Sequence, residues 1–114
     1  MARGTFVVFT NPVSTEREAE FNDWYNSVHA GEILSLPGFV AISRLKAGPT
    51  VKGAASHRYL ALYECDDIEK ARASLTAHME QLNVSDALED SATAVFFEEF
   101  FSLPAADVVE AVFE

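Results

Sequence analysis

Two short segments limit what this chain can become. Residues 5 to 10, "TFVVFT", are β-branched or aromatic at every position, and residues 93 to 101, "TAVFFEEFF", are nearly as apolar. Successive side chains of a strand point to opposite faces, so each segment offers an apolar surface on both sides. In the first, Thr5, Val7 and Phe9 oppose Phe6 and Val8; in the second, Val95, Phe97 and Phe101 oppose Phe96 and Phe100. A sheet built on them needs a cover on each face.

The rest of the chain supplies one cover. Asn11-Pro12 stops the first strand, and Ser14 or Thr15 can cap the next segment, with Glu18 completing a capping box after Thr15. Phe21, Trp24, Tyr25 and Val28 have the spacing i, i+3, i+4, i+7. That spacing predicts a helix over about 15–30, which Gly31 can loosen and the Leu36-Pro37-Gly38 turn ends. A second strand, "FVAISRLKA", starts at Phe39; the Gly- and Pro-containing residues 48 to 57 read as a loop; a third strand, "HRYLALYEC", starts at His57. Asp66 and Asp67 then cap a second helix marked by Ile68, Ala71, Leu75, Met79 and Leu82.

The order is β-α-β-β-α-β, a ferredoxin-like α+β arrangement in which two helices cover one face of a four-stranded antiparallel sheet, with the first strand central. The other face stays bare. An apolar patch of that size exceeds what a soluble monomer shows, so the expected partner is a second copy packed sheet to sheet, a homodimer. In the tail "PAADVVEAVFE", Val108, Val109, Val112 and Phe113 share one side of a short helix suited to the subunit joint or the end of a barrel.

Composition removes several classes of function. At 114 residues the chain is one domain's worth, residues 1–114, and no repeat or linker argues for a second. No apolar run approaches the roughly 20 residues of a membrane-spanning helix. Eighteen acids against eight bases give a net charge of −10, which repels phosphate backbones and anionic lipids, so neither nucleic acid nor membrane is an expected partner. The N-terminal "MARGTFVVFTNP" holds an apolar run too short for a secretory signal, and the single Cys65 cannot form an internal disulfide, so a cytoplasmic protein is expected.

His29 is the main chemical candidate, because an imidazole with an ordinary pKa near 6.5 gives or takes a proton at neutral pH. Tyr25 lies one helical turn before it and Ile33 one turn after. The plainer readings stand beside this one. A histidine near a helix end can simply bind a carbonyl, and Trp24 and Tyr25 have the spacing of any packed helix. His57 and Tyr59, two apart on the third strand with Ala61 and Tyr63, either line a cavity or face the helices; in the second case Tyr59 and Tyr63 are core and His57 is a loop-edge residue. Asn22 and Asn26 can bond a ligand carbonyl or face water, and His78 reads as surface.

Metal and nucleophile chemistry find less support. Only His29 and Glu32 form a closely spaced ligand pair, without a third member. Cys65 precedes Asp66 and Asp67, whose charge raises a thiol pKa, and no P-loop, G-x-G-x-x-G or G-x-S-x-G is present. Of the adjacent acids, Glu98 is expected in solvent, while Glu99, in phase with Val95 and Phe97, is the better pocket acid.

The segment "FNDWYNSVHAGEILSLPGFVAISRL" resembles the first helix and second strand of the dimeric α+β barrel superfamily, specifically its EthD-like branch, where an aromatic-rich helix carries a His followed by a Leu-Pro-Gly turn. The motif-level match covers about residues 21 to 39; the element order extends it loosely over the whole chain. Aligning the family's Phe and His on Phe21 and His29 puts its usual Trp position at Tyr25, with Trp24 one place earlier. The resemblance implies a cavity between the sheet's inner face and the first helix, and members of the superfamily include cofactor-free monooxygenases, polyketide cyclases, dehydratases and haem-degrading enzymes. The superfamily also includes EthD proteins without a settled activity, so the resemblance implies a fold and a pocket position before a reaction. The first expectation is a small enzyme that needs no cofactor, with His29 and Tyr25 as catalytic groups acting on an apolar or aromatic oxygenated small molecule. Phe21, Trp24, Asn22, His57, Tyr59, Phe9, Phe97 and Glu99 are the expected lining. Lyase, cyclase or isomerase chemistry suits these groups; a monooxygenase, recognised by dioxygen consumption, and a noncatalytic binder of a hydrophobic metabolite are the alternatives.

Overall fold

The computed structural model describes residues 2–108 and residue 113. Strands β1 (Gly4–Thr10), β2 (Phe39–Lys46), β3 (Tyr59–Cys65) and β4 (Thr93–Glu98) form one antiparallel sheet in the order β2-β3-β1-β4. The expected α+β, ferredoxin-like architecture is therefore present, with β1 inside the sheet and the Gly/Pro-containing loop joining β2 to β3. Helices α1 (Glu18–Trp24), α2 (Ala30–Leu34) and α3 (Ile68–His78) contribute to a single core against one sheet face.

Register decides what that core contains. Phe6 lies opposite Tyr63 on one side and Phe96 on the other, so three rings form a row, with centroids 5.8 and 4.3 Å from Phe6. Phe39 joins them at 5.9 Å from Phe6. Tyr59, Ala61, Tyr63 and Cys65, every second residue of β3, are all buried on this face. The turn before β2 depends on Gly38, whose φ of +98° is open to glycine alone at little cost; an added Cβ would also lie 2.4 Å from the Ala71 nitrogen of α3.

The first helical arm departs from a simple 3.6-residue repeat. Between α1 and α2, residues Tyr25–His29 form a π turn, closed by the Ala30 N–H donating to the Tyr25 carbonyl five residues back. The buried stripe runs Phe21, Tyr25, Ala30, Ile33, and Val28, expected inside, is exposed. The expected capping box is also absent. The arm begins at Glu18, not near residue 15, and the Glu18 carboxylate accepts from Arg58 and Tyr59 instead. Ser14 Oγ still accepts from the Arg17 N–H, at 3.3 Å.

At α3 the expected cap is present, Asp67 accepting from the Lys70 N–H at 3.1 Å. The helix ends at His78, and Met79, expected in the apolar stripe, is exposed in the following 3₁₀ turn. His78 is half-buried rather than surface, its Nδ1 2.7 Å from the Ser74 carbonyl oxygen. β4 stops at Glu98, short of residue 101, and Phe100 and Phe101 are 99% and 77% exposed. In the expected tail helix, Val108 and Phe113 are exposed, while Val109 and Val112 lie outside the described residues.

The second sheet face carries Thr5, Val7, Phe9, Leu45, Leu60, Leu62, Val95 and Phe97, together with the polar Ser43, Glu64 and Thr93. No described helix covers it, and Phe97 and Leu45 are 50% and 46% exposed. Among the described residues no helix is long and apolar enough to cross a membrane.

Candidate functional site

The π turn sets the position of His29. In a regular helix the residue four after Tyr25 would enter the core; the extra residue gives that position to Ala30 and leaves His29 at the edge of the buried stripe. There the imidazole stacks on Trp24, centroids 4.7 Å apart, and meets the Tyr25 ring edge-on at 5.0 Å. Its Nδ1 is buried 3.5 Å from Glu32 Oε1, while 14% of the side chain stays exposed, so the accessible part of the ring lies away from Nδ1.

Glu32 is itself held in place. Its carboxylate accepts from the Asn83 backbone N–H at 3.0 Å and from Asn83 Nδ2 at 2.7 Å, and the indole of Trp24 donates to the Asn83 carbonyl oxygen at 2.7 Å. The segment after α3 thus fastens both the aromatic and the acid that flank His29. Burial lowers the His29 pKa below its ordinary value, only partly offset by the neighbouring Glu32 carboxylate. Burial pushes Glu32 upward, but the Asn83 donors and the imidazole outweigh it and leave that carboxyl below its ordinary value. At neutral pH the pair is a neutral imidazole beside a carboxylate, which favours the tautomer with its proton on Nδ1 and a free lone pair on Nε2.

Tyr25 sits deeper. It is almost fully buried and its oxygen accepts from the Tyr63 hydroxyl at 3.0 Å. Burial raises the pKa of both phenols, so both remain neutral donors and acceptors. Phe21, also buried, packs on Trp24, Tyr25 and Tyr59.

A second cluster adjoins the first through the Tyr25 ring, and its centre, Arg44, is not among the residues that the sequence pattern singles out. The guanidinium carbon of Arg44 lies 4.3 Å from the centroid of Tyr25, 5.1 Å from Tyr59 and 5.3 Å from Phe21. Its Nη1 donates to Asn26 Oδ1 at 2.9 Å. Asn22 donates to the Tyr59 hydroxyl at 3.1 Å, and Tyr59 donates to Glu18. The signal for Arg44 is its phase: it alternates with Ile42, on the side of β2 that faces the helices.

The expected lining residues divide between the two sheet faces. Phe21, Asn22, Trp24, Tyr25, His29 and Tyr59 gather on the helix side. Phe9 and Phe97 lie on the open face, and His57 turns towards them, its ring 5.9 Å from Phe9 and Nε2 2.9 Å from the Ser91 carbonyl oxygen. Of the two placements open for His57 and Tyr59, the structure takes the one with Tyr59 in the core and His57 at a loop edge. Glu98 and Glu99 are both exposed; they border a cleft of about 480 Å³ on the open face, with Thr5, Ser43, Leu62 and Phe97 among its walls. Cys65 is buried, and burial with Asp66 and Glu64 nearby raises its thiol pKa. No group of three metal-ligating side chains occurs among the described residues.

No protein-family model matches the chain, and a search of curated proteins returned no match. Among solved structures the chain is similar to an ethyl tert-butyl ether D (EthD) family protein from Bacillus halodurans, with a TM-score of 0.56 and 16% identity over 88% of this chain and 100% of that one. It is also similar to HapK from Hahella chejuensis, with a TM-score of 0.55 and 15% identity over 89% of this chain and 96% of that one. At such identities the likeness is one of fold. The chain has the α+β fold of an EthD family protein, in agreement with the resemblance carried by residues 21 to 39.

Proposed function

We propose that this protein is a small cytoplasmic enzyme, one domain per chain, that moves a proton on an apolar or aromatic oxygenated substrate through His29. The observation that carries this reading is the His29–Glu32 pair: a partly accessible imidazole, 3.5 Å from a carboxylate that Asn83 fixes from two sides. In such a pair the carboxylate orients the ring and stabilises the imidazolium formed when Nε2 takes a proton, and a positioned base of this kind contributes about 10²–10⁴ in rate. Trp24 and Tyr25 hold the ring plane from two directions, which limits its freedom and favours one direction of proton transfer. Lyase, cyclase and isomerase reactions that proceed by proton transfer at an activated carbon can use such a base without a resident cofactor.

Two copies packed through their open faces complete the particle in this reading. Phe97, Leu45 and Val95 would then be withdrawn from water, at about 25 cal/mol per Å² of apolar surface. The radius of gyration of 16.4 Å against about 13 Å for a compact domain of this length supports a chain finished by a partner.

The test is turnover of enolisable and electron-rich aromatic carbonyl compounds by the wild type and by His29→Gln and Glu32→Gln. His29→Gln is expected to lower kcat by about 10²–10⁴ with KM little changed, and Glu32→Gln to lower it less. Equal kcat in wild type and His29→Gln contradicts the assignment. Dioxygen consumption coupled to turnover would move the reaction to the monooxygenase class.

A further inference from the structure

A half-buried guanidinium without an ion pair among the described residues is unusual in a chain carrying ten net negative charges. Arg44 donates to Asn26 through Nη1, but its Nε and Nη2 are buried without a hydrogen-bond partner. Asn22 Oδ1 is buried and unpartnered as well. The orientation of Asn22 is set by its neighbour: the Tyr59 hydroxyl gives its proton to Glu18, so it can only accept from Asn22, which must present its NH₂ group and leave Oδ1 free. Two donors and one acceptor are thus unmatched. Arg44 and Asn22 both line one cleft of about 360 Å³, with Asn26, Leu45, Lys46 and Tyr59. Each buried unmatched group costs about 1–3 kcal/mol, so three of them on the walls of one cleft mark a place completed by another molecule.

Charge identifies the kind of molecule. Glu18 is neutralised by Arg58 at 2.5 Å, whereas neither Arg44 nor Lys46 forms an ion pair among the described residues. The cleft therefore presents Arg44 without a carboxylate partner, and Lys46, which shares the field of Glu18 with Arg58, beside an acceptor that needs a hydroxyl. We propose that it binds the carboxylate of a small hydroxylated organic acid, the carboxylate taking the free Arg44 N–H groups and the hydroxyl donating to Asn22 Oδ1. A planar carboxylate matches the guanidinium fork, which has to turn on the three rings it stacks against to present its buried N–H groups to the cleft. Arg44 and His29 both touch the Tyr25 ring, but His29 does not line this cleft, so the inference goes beyond the proposed function and does not rest on it. The binding itself does not depend on turnover.

3-Hydroxybenzoate, whose hydroxyl is out of reach of its own carboxylate, is a suitable probe, with benzoate, phenol and inorganic phosphate as comparisons, read by calorimetry and by the Arg44 Nε–Hε resonance of the labelled protein. 3-Hydroxybenzoate is expected to shift that resonance saturably, and benzoate to bind more weakly. Asn22→Leu should remove the difference between the two acids, and Arg44→Met should weaken 3-hydroxybenzoate about tenfold or more, the loss of a charge-assisted hydrogen bond. Phenol and phosphate should leave the resonance in place. His29→Gln should bind 3-hydroxybenzoate as the wild type does, so loss of turnover there and loss of binding here are separate results. An unmoved Arg44 resonance in wild-type protein saturated with 3-hydroxybenzoate overturns the proposal, as does an equal shift with inorganic phosphate or undiminished binding by Arg44→Met. The wild-type resonance is decisive even where Arg44→Met fails to fold.

Discussion

His29 is held between two aromatic rings, where its charged form is disfavoured. A neutral imidazole between Trp24 and Tyr25 is well packed, but its protonated form loses solvation there, which is why burial lowers its pKa despite Glu32. The consequence for stability has a definite sign. Below the ordinary value of 6.5 the unfolded chain takes up a proton that the folded chain resists, so the stabilising effect of the depressed pKa is complete above about pH 6.5 and is lost as pH falls through the folded value. The titratable group facing the ring is Glu32, whose own lowered pKa acts only in the carboxylate range, further down. Thermal melts between pH 8 and pH 5 should therefore show wild-type Tm falling more steeply below pH 6.5 than that of His29→Gln. Parallel curves would mean that the imidazole is solvated in the folded protein.

The π turn is the element that moves His29 from a core position to the edge of the buried stripe. Deleting Ser27, an exposed residue inside it, shortens the step from Tyr25 to Ala30 to four residues and restores an ordinary helical turn. The variant is expected to fold with a Tm equal to or above the wild type, because the stripe Phe21, Tyr25, Ala30, Ile33 is kept, while His29 leaves its place on Trp24 and its pKa returns towards 6.5 by NMR titration. A large loss of Tm would show that the turn is needed for packing and not for the histidine. The same element marks the limit of what the sequence reveals. Strand alternation predicts the faces of β1, and of β4 as far as Glu98, because the period of two has no close competitor, but it carries Phe100 and Phe101 into a strand that stops before them. The 3.6-residue period, by contrast, is blind to a single inserted residue, so it predicts Val28 inside and a capping box at Thr15 that Glu18 abandons for Arg58 and Tyr59. Tyr25 and His29 are legible as neighbours on one helix; Glu32 needs the i, i+3 relation and Asn83 to become part of the site; Arg44 needs knowledge of which face of β2 meets the helices.

On the scale of the whole molecule, one face of the sheet is furnished with helices and the other is apolar and open. Phe97 and Leu45 stand about half exposed on it, and the chain beyond β4 carries Phe100 and Phe101 into solvent. A second copy brought face to face would cover these side chains, and the apolar stretch formed by Val7, Leu60, Leu62, Val95 and Phe97 would be sensitive to a single buried charge. Phe97→Asp should therefore yield a particle of one chain mass that keeps the helix-side core and the fold. The most direct measurement is the solution mass of the wild-type protein by light scattering at micromolar concentration. Twice the 12.5 kDa chain mass, reduced to one chain by Phe97→Asp, is the expected result. A wild-type particle of 12.5 kDa would contradict it.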